Sequence, residues 1–455
     1  MLDNEDVTIS FSPDAKQFAF IRKDPAKHES YLLTADADGS NVHIVATKKE
    51  PQAFSELGPA WMPDGQHLAV VSRENVAIEG EGIEIVDFGT GASVPLGNLN
   101  WTSIGRLSWR SNPDAIVFSG FEKYGEFRPQ LWELLYPNGQ PHQISNDLNL
   151  YVDAGLAADG SKLVATQRLI RGGLWLAPIS NPDSAQQITP GASRWDGTGI
   201  TWTGNNQLVY GYVGGSSFRM ARLEIPGAQP ADLRLPREML VAPSSCGSGI
   251  VYAQAVKQSF SIWYAESNGS SPREIAPGPS TDDPVCTPDG KFVVYENIQG
   301  TEVRLMRVPA TGGTPQKLND LNIKWPKISP DARQIAALYF PEQTAAPKLA
   351  IIPAEGGAPT QVIDLPKDLY FGSPPNNLAW TADGRGIIFP VVEKGLTNLW
   401  VQPLGTLQEK PAPPRQWTHF SANGVSRFAI SPDGKQVVLA RNASINDIVL
   451  ITHLP

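Results

Sequence analysis

The stretch Thr287-Pro288-Asp289-Gly290-Lys291-Phe292-Val293-Val294-Tyr295 contains the pattern that decides the fold of this 455-residue chain. Proline fixes φ at the second position of a tight turn, aspartate hydrogen-bonds the backbone ahead of it, and glycine tolerates a positive φ. The β-branched and aromatic residues that follow favour an extended strand. The stretch therefore predicts a turn followed directly by a β-strand.

The same turn recurs along the whole chain. Its aspartate, or the residue in the equivalent place, falls at positions 14, 64, 114, 159, 205, 246, 289, 331, 383 and 433, at intervals of 41 to 52 residues. A bulky residue lies three positions earlier in several copies, as at Trp61, Trp202 and Trp380. We interpret these residues as packing residues at the end of a first strand. Two further strands and a short fourth strand complete most copies.

Four short strands repeated every 40–50 residues, with no helical pattern between them, are typical of propeller blades. We therefore predict an all-β fold, a β-propeller of ten four-stranded antiparallel blades, with eight blades as the alternative. The chain is predicted to be a single propeller over residues 1–455, with repeats at 7–57, 58–105, 106–153, 154–198, 199–242, 243–283, 284–325, 326–376, 377–425 and 426–455. The tenth repeat has three strands, and the acidic residues 1–6 make a poor fourth strand.

Composition excludes several classes of protein. The 41 glycines and 40 prolines argue against helical bundles, because both residues are costly inside helices. The net charge of −9, without a basic run, argues against nucleic-acid binding. No apolar run is long enough to cross a membrane, and the acidic N-terminus is unlike a signal peptide. We expect a monomer that is periplasmic or extracellular if an upstream membrane segment carries it, and cytoplasmic otherwise.

The chain has two cysteines, Cys246 and Cys286. Aligning their repeats places both near the same end of neighbouring blades. Packed sheets lie about 10 Å apart, whereas a disulfide requires Cα atoms within about 7 Å. We therefore expect two free thiols.

The Ser431-Pro432-Asp433-Gly434-Lys435 turn with its following strand resembles the TolB-like, WD40-like PD40 propeller repeat. Longer phrases, such as Leu131-Trp132-Glu133-Leu134-Leu135-Tyr136-Pro137-Asn138-Gly139 and Asn398-Leu399-Trp400-Val401-Gln402-Pro403-Leu404, resemble the C-terminal propeller of acidobacterial-type serine/threonine kinases and winged-helix regulators. The resemblance implies a bacterial sensor or protein-binding module in signalling. The kinase and DNA-binding halves of those proteins are absent from this sequence.

Catalytic motifs are not supported by their surroundings. Asp87-Phe88-Gly89 lacks the other kinase motifs, and Ser245-Cys246-Gly247-Ser248-Gly249 is a degenerate turn rather than a hydrolase elbow. The six histidines do not show the spacing of metal ligands. We therefore expect no enzymatic activity, no metal and no cofactor. A catalytic propeller, either a polysaccharide lyase or hydrolase-like, and a propeller fragment of a larger kinase or regulator are the alternatives.

The loops that precede each first strand carry aromatic and charged residues that differ between repeats. The Pro-Asp-Gly turns lie on the opposite face and are too uniform to specify a partner. Aromatic residues and arginine are favoured at binding hot spots. We therefore predict that a protein or peptide segment, with a glycan as the alternative ligand, binds at the channel mouth. The predicted site residues are Trp101, Arg106, Tyr151, Asp153, Trp195, Asp196, Asp282, Asp283, Trp325, Tyr370, Phe371 and Arg427.

Overall fold

The computed structural model describes most of the chain. The described residues are 8–24, 27–74, 80–111, 114–122, 128–147, 149–157, 159–189, 195–214, 217–227, 229–236, 240–256, 259–278, 281–299, 302–341, 347–365, 378–405 and 411–452. They contain 39 strands and one short 3-10 helix, Pro182–Ser184. The predicted all-β fold is therefore confirmed.

Three antiparallel sheets come first along the chain. Sheet 1 contains β1 (Ser10–Phe11), β2 (Gln17–Asp24), β3 (Glu29–Asp36) and β4 (His43–Lys49). Sheet 2 contains β5 (Ala53–Phe54), β6 (Ala60–Trp61), β7 (His67–Arg73), β8 (Glu81–Asp87) and β9 (Ser93–Pro95). Sheet 3 contains β10 (Ser103–Ile104), β11 (Ser108–Ser111), β12 (Asp114–Phe121), β13 (Gln130–Leu135) and β14 (Gln140–Gln143).

Sheet 4 joins two distant parts of the chain. It contains β15 (Leu150–Leu156), β16 (Leu163–Pro178) and β17 (Gln186–Gln187), together with the last two strands, β38 (Gly424–Ile430) and β39 (Gln436–Ile451). Its strand order is β15-β16-β39-β38, and β17 also pairs with β16.

Five four-stranded sheets lie between these parts in sequence. Sheet 5 contains β18 (Trp195–Gly204), β19 (Gln207–Gly214), β20 (Ser217–Glu224) and β21 (Ala231–Asp232). Sheet 6 contains β22 (Leu240–Cys246), β23 (Gly249–Val256), β24 (Ser259–Glu266) and β25 (Arg273–Ala276). Sheet 7 contains β26 (Thr281–Cys286), β27 (Phe292–Gln299), β28 (Glu302–Pro309) and β29 (Gln316–Lys317). Sheet 8 contains β30 (Ile323–Ile328), β31 (Gln334–Tyr339), β32 (Lys348–Pro353) and β33 (Gln361–Asp364), and sheet 9 contains β34 (Ala379–Trp380), β35 (Gly386–Glu393), β36 (Leu396–Pro403) and β37 (Arg415–Gln416).

The chain divides into two compact units. The first unit comprises residues 1–169 and 445–455, and the second comprises residues 170–444. The boundaries between them fall inside the 16-residue strands β16 and β39. The pairing of β15 with β16 and the last residues of β39 thus belong to the first unit, whereas β17 and β38 belong to the second.

In the second unit, six sheets are joined in a closed circle. Six apolar clusters fill the spaces between neighbouring sheets, in the order 4, 5, 6, 7, 8, 9 and back to 4. Side chains of the first strands reinforce the circle. The indole N–H of Trp202 donates to the Ala429 carbonyl at 3.1 Å, and that of Trp380 donates to the Lys327 carbonyl at 2.8 Å. This unit is therefore a six-bladed β-propeller.

In the first unit, four sheets follow one another in a row. Three apolar clusters join sheet 1 to sheet 2, sheet 2 to sheet 3, and sheet 3 to the part of sheet 4 in this unit. A fourth cluster, around Phe20 and Leu33, lies on the other face of sheet 1. Among the described residues, no apolar cluster joins this face of sheet 1 to sheet 4.

The number of ten blades is not confirmed, because the described residues form nine sheets. The fourth and tenth repeats were each expected to contain a hairpin between a second and a third strand. Instead, β16 and β39 continue as single strands of 16 residues and lie beside each other in sheet 4. The incomplete tenth repeat therefore forms its sheet by pairing with the strands of the fourth repeat. The single ring over residues 1–455 and its repeat boundaries stay a prediction.

The repeated turn forms as the sequence indicates. In the copy at Thr287, the hydroxyl donates to the Asp289 carboxylate at 2.6 Å and accepts the Phe292 backbone N–H at 3.0 Å. The same two contacts recur at Ser12, Ser329, Thr381 and Ser431. In the first of these copies, the Thr287 hydroxyl, followed by the Lys291 backbone N–H, lowers the pKa of the Asp289 carboxyl. Gly290 has a φ of +72°, which explains the glycine that ends most copies.

The expectation of two free thiols is wrong. Cys246 and Cys286 form a disulfide whose Cα atoms lie 5.2 Å apart. The 10 Å spacing describes whole packed sheets, whereas β22 and β26 are first strands, which converge towards the centre of the second unit. The backbone N–H of Cys286 donates to the Ser244 hydroxyl at 3.4 Å, which shows the same close approach.

Candidate binding site

A cavity of about 610 Å³ lies at the centre of the second unit. Each of its six sheets contributes residues from its first strand, β18, β22, β26, β30, β34 and β38. Parts of the repeated turns, such as Ser329-Pro330 and Ser431-Pro432, line it at one end. The cavity is therefore the central channel of the six-bladed propeller.

Bulges in the first strands shape this cavity. The pairing register shifts between Val241 and Ser244 in β22, between Asp282 and Val285 in β26, and between Lys324 and Lys327 in β30. Each of these three bulges contains a proline preceded by a residue with positive φ: Ala242 at +50°, Asp283 at +46° and Trp325 at +60°. Residues other than glycine rarely adopt this conformation, and such strain is concentrated at functional sites.

Charged side chains of both signs line the cavity. Asp283 and Arg427 are only 4% and 5% exposed, and Lys327 keeps some accessible surface because it faces the cavity. Burial lowers the pKa of Arg427 to about 10, and it also lowers the pKa of Lys327. The Asp283 carboxylate opposes both shifts. Asp283 therefore stabilises both cations, which repel each other, in a site largely withdrawn from bulk water.

Two further carboxyl groups lie beside this cluster. Burial, followed by the neighbouring Asp283 carboxylate, raises the pKa of Asp282 to about 8. Burial and Asp283 likewise raise the pKa of Glu296, which is buried in β27 and accepts the backbone N–H of Trp325. At neutral pH these carboxyls therefore hold protons more readily than ordinary surface acids.

The predicted site residues are divided between the two units. In the first unit, Trp101 is buried and stacks edge-on against Phe118 and Trp132. Tyr151 is also buried, and its hydroxyl donates to Asp147 at 2.8 Å. Both residues therefore pack within their unit. Arg106 is exposed and reaches the Ile9 carbonyl at 3.4 Å, and Asp153 is half-buried beside the bulge of β15.

In the second unit, the structure brings four of the predicted residues to one region. Asp283 and Arg427 line the cavity, and Asp282 and Trp325 lie in the bulged segments next to it. Trp195 and Asp196 lie in β18, and the structure describes their backbone only. Tyr370 and Phe371 lie outside the described residues. A binding role for the predicted set as a whole stays a prediction.

Sequence reasoning missed Lys327, a member of the charged cluster, and Glu296, which lies beside it. Lys327 lies within the first strand, in the segment Trp325-Pro326-Lys327, and not in the loop that precedes it. A proline at the same place in three successive first strands, Pro243, Pro284 and Pro326, was an available signal for the bulges. Proline cannot donate to a strand ladder and is therefore found at bulges and edges.

In the described part of the chain, no group of three or more histidine, cysteine, aspartate or glutamate side chains is arranged to hold a metal ion. No helix within the described ranges is long and apolar enough to span a bilayer.

Comparison with known proteins gives limited sequence similarity. No family model matches the chain. Over 60 residues, 13% of this chain, it is 42% identical to the Tol-Pal system protein TolB of Aromatoleum aromaticum strain DSM 19018 / LMG 30748 / EbN1, and the matched segment spans 13% of that relative.

Solved structures similar to this chain include a TolB protein and the β-propeller domain of a protease. TolB from Acinetobacter baumannii aligns over 98% of this chain and 88% of its own, with 12% identity and a TM-score of 0.31. The β-propeller domain of the Trilobed protease from Pyrococcus furiosus aligns over 75% of this chain and 93% of its own, with 12% identity and a TM-score of 0.26. The repeated turn and the radial sheets of the second unit identify the fold as a β-propeller, and its sequence is similar to TolB over the 60 matched residues.

Proposed function

We propose that this protein is a non-catalytic binding propeller whose second unit holds an extended segment of a partner protein in its central cavity. The observation that carries the proposal is the charged cluster of Asp283, Lys327 and Arg427 inside the channel. Such groups are costly to bury. They would gain hydrogen bonds from the main chain and charged side chains of a bound peptide.

The size and lining of the cavity suit a peptide segment. A volume of about 610 Å³ is within the range of ligand sites in proteins. The hydroxyls of Thr201 and Ser244 belong to lining residues; each accepts a backbone N–H and can still donate to a peptide carbonyl. Arginine is enriched at binding hot spots, which supports an anchoring role for Arg427.

The disulfide supports a location outside the cytoplasm. Disulfides persist in oxidising compartments such as the periplasm and are rare in the cytosol. The bridge between Cys246 and Cys286 is almost fully buried and joins two strands of the cavity wall. We therefore propose a periplasmic or extracellular sensor or scaffold.

The experiment is a selection of random 12-residue peptides on the intact chain, followed by calorimetric measurement of their Kd. Lys327→Met removes a charge that faces the cavity, and Lys324→Met is the matched control on the same strand outside the cavity lining. We expect Lys327→Met to weaken binding by about tenfold or more, because hydrogen bonds to charged groups are worth about 1.5–3 kcal/mol. Lys324→Met should change the Kd by less than about twofold.

Two results would overturn the proposal. One is a selection that yields no peptide with a Kd below about 100 µM, which corresponds to a binding free energy weaker than about −5.5 kcal/mol. The other is a set of peptides that bind both variants as tightly as the unmodified chain. The melting temperature of each variant is measured alongside, so that a loss of folding is not read as a loss of binding.

A further inference from the structure

In the described part of the first unit, one sheet edge lacks the strand that covers the equivalent edge in the other sheets. In sheets 1–3 and 5–9, a fourth strand pairs with the outer edge of the third strand. In the first unit, the part of sheet 4 consists of β15, the first half of β16 and the second half of β39. The second half of β39, residues 445–451, is therefore the third strand.

Within the described residues, no strand pairs with residues 445–451 on the side away from β16. The pairing of β38 with β39 extends only from Val437 to Asn442. An uncovered edge presents unpaired N–H and C=O groups to solvent and is a template for another strand. Proteins use such edges for strand addition by extended peptides.

The side chains at this edge are unusually apolar for solvent-exposed positions. Ile448 is 79% exposed and Leu450 is 57% exposed, and Val164 on the neighbouring strand is 43% exposed. Val449 and Ile451 alternate with them and pack on the opposite face, against the cluster between sheets 3 and 4. Exposed apolar surface of this kind marks interaction sites.

The fourth strands of the other sheets show the chemistry of the missing occupant. Several are short extended segments in which polar residues precede an apolar one, as in Gln316-Lys317-Leu318. Leu318 is buried, and its N–H donates to the Leu305 carbonyl of the third strand at 2.9 Å. Leu96, Ile144, Ile188 and Trp417 make the same contact with their third strands.

The charge on the open edge indicates which residues the added strand should carry. Ion pairs join third and fourth strands at Glu29–Lys49, at 2.8 Å, and at Lys348–Asp364, at 2.9 Å. At the open edge the third strand carries the exposed acid Asp447. An added strand that follows the same rule has a lysine or arginine opposite this carboxylate.

We infer that residues 445–451 form a second binding site, which takes a short basic, partly apolar segment of a partner protein as an added β-strand. This site belongs to the first unit and is independent of the cavity in the second unit. Its recognition rests on main-chain pairing, on apolar contact with Ile448 and Leu450, and on the charge of Asp447.

The probe is a fluorescein-labelled peptide with the sequence of the longest fourth strand, residues 43–49, titrated with the intact chain and followed by anisotropy. We expect a Kd below about 1 mM. Ile448→Lys and Asp447→Lys should each weaken binding by about fivefold, because single cross-strand pairs contribute up to about 1 kcal/mol. Val94→Lys is the matched control, since Val94 is 62% exposed but already lies on a fourth strand.

A charge swap separates specific pairing from general attraction. The same peptide with both lysines replaced by glutamate should bind Asp447→Lys more tightly than it binds the unmodified chain. Equal binding by the unmodified chain, Ile448→Lys and Asp447→Lys would overturn the inference. So would a dimer in sedimentation that Ile448→Lys dissolves without any peptide binding, because a second copy would then be the occupant. Loss of binding in Lys327→Met alone would place the peptide in the cavity instead.

Discussion

The two units are built from the same repeat but differ in closure. In the second unit, six sheets are joined by six apolar clusters, so that each sheet is covered on both faces. Among the described residues of the first unit, three clusters join four sheets, and the last sheet leaves Ile448 and Leu450 exposed. The comparison teaches that the repeated sequence specifies a single blade. Closure of a unit into a ring depends instead on which strands pair and pack at its first and last sheets.

The largest effect is expected from removing the disulfide of the second unit. Cys246→Ser with Cys286→Ser opens a link between residues separated by 40 positions, which in the chain-entropy model is worth about 4 kcal/mol. We expect denaturant unfolding to show a lower midpoint for the second unit and an unchanged transition for the first. Titration of the denatured, unreduced protein should find no free thiol. Two free thiols, or equal destabilisation of both units, would contradict the assignment of the bridge.

The next largest effect on stability is expected at Trp202 in the second unit, compared with Trp61 at the equivalent position in the first unit. Trp202→Phe leaves the Ala429 carbonyl without its indole donor, and we expect a loss of about 1–3 kcal/mol in the free energy of unfolding. Trp61 is the matched control in the first unit, because its buried indole N–H has no hydrogen-bond partner among the described residues. Trp61→Phe should therefore cost less than Trp202→Phe. The opposite order would show that this hydrogen bond does not help to close the second unit.

A loss of stability as the pH rises is expected for the second unit. The pKa of Asp282 is about 8 in the folded chain and about 3.9 when unfolded, so the folded state retains a proton that the unfolded chain releases. Its contribution to stability is therefore complete below pH 4 and is lost as the pH rises to 8. Between these values the free energy of unfolding should fall by on the order of 1 kcal/mol per pH unit.

Asp282→Asn should flatten this slope between pH 5 and pH 8, as measured by denaturant unfolding. The flattening should be incomplete, because the pKa of Glu296 is raised in the same direction. Asp153→Asn, at the bulge in the first unit, serves as the control. An unchanged slope in Asp282→Asn would show that this carboxyl is ionised in the folded protein.

The smallest effect is expected at the repeated turns, which are local and alike in both units. Thr381→Val removes the hydroxyl that bonds the Asp383 carboxylate and the Gly386 N–H, and Ser12→Ala does the same in the first unit. Each change should lower the free energy of unfolding of its own unit by about 1 kcal/mol. A much larger effect in one unit would mean that these turns also contribute to closure.

The sequence was sufficient to predict the blade but not the closure of either unit. The turn at Thr287 is a local structure, set by neighbouring residues, and it forms as expected. The pairing of β16 with β39 is a contact between residues far apart in sequence, and no local pattern encodes it. The distance between Cys246 and Cys286 is also a contact between separate sheets. The average spacing of packed sheets therefore led to the wrong expectation of two free thiols.

The candidate site was predictable only in part. Asp283 and Arg427 could be found as non-repeating charges beside first strands, and both line the cavity. The aromatic residues Trp101 and Tyr151 share the same sequence pattern but are buried in the first unit. Burial depends on how neighbouring sheets pack, which the loop sequence alone does not determine.

The most direct test is hydrogen exchange measured by mass spectrometry along the single strand β39 in the intact chain. Its first half lies between β38 and β16 in the closed second unit, whereas its second half pairs with β16 alone among the strands that the structure describes. We predict strong protection of residues 437–442 and much faster exchange in residues 445–451, because amides at an uncovered edge are open to water. Equal protection of the two halves would contradict the difference between the closed and the open unit.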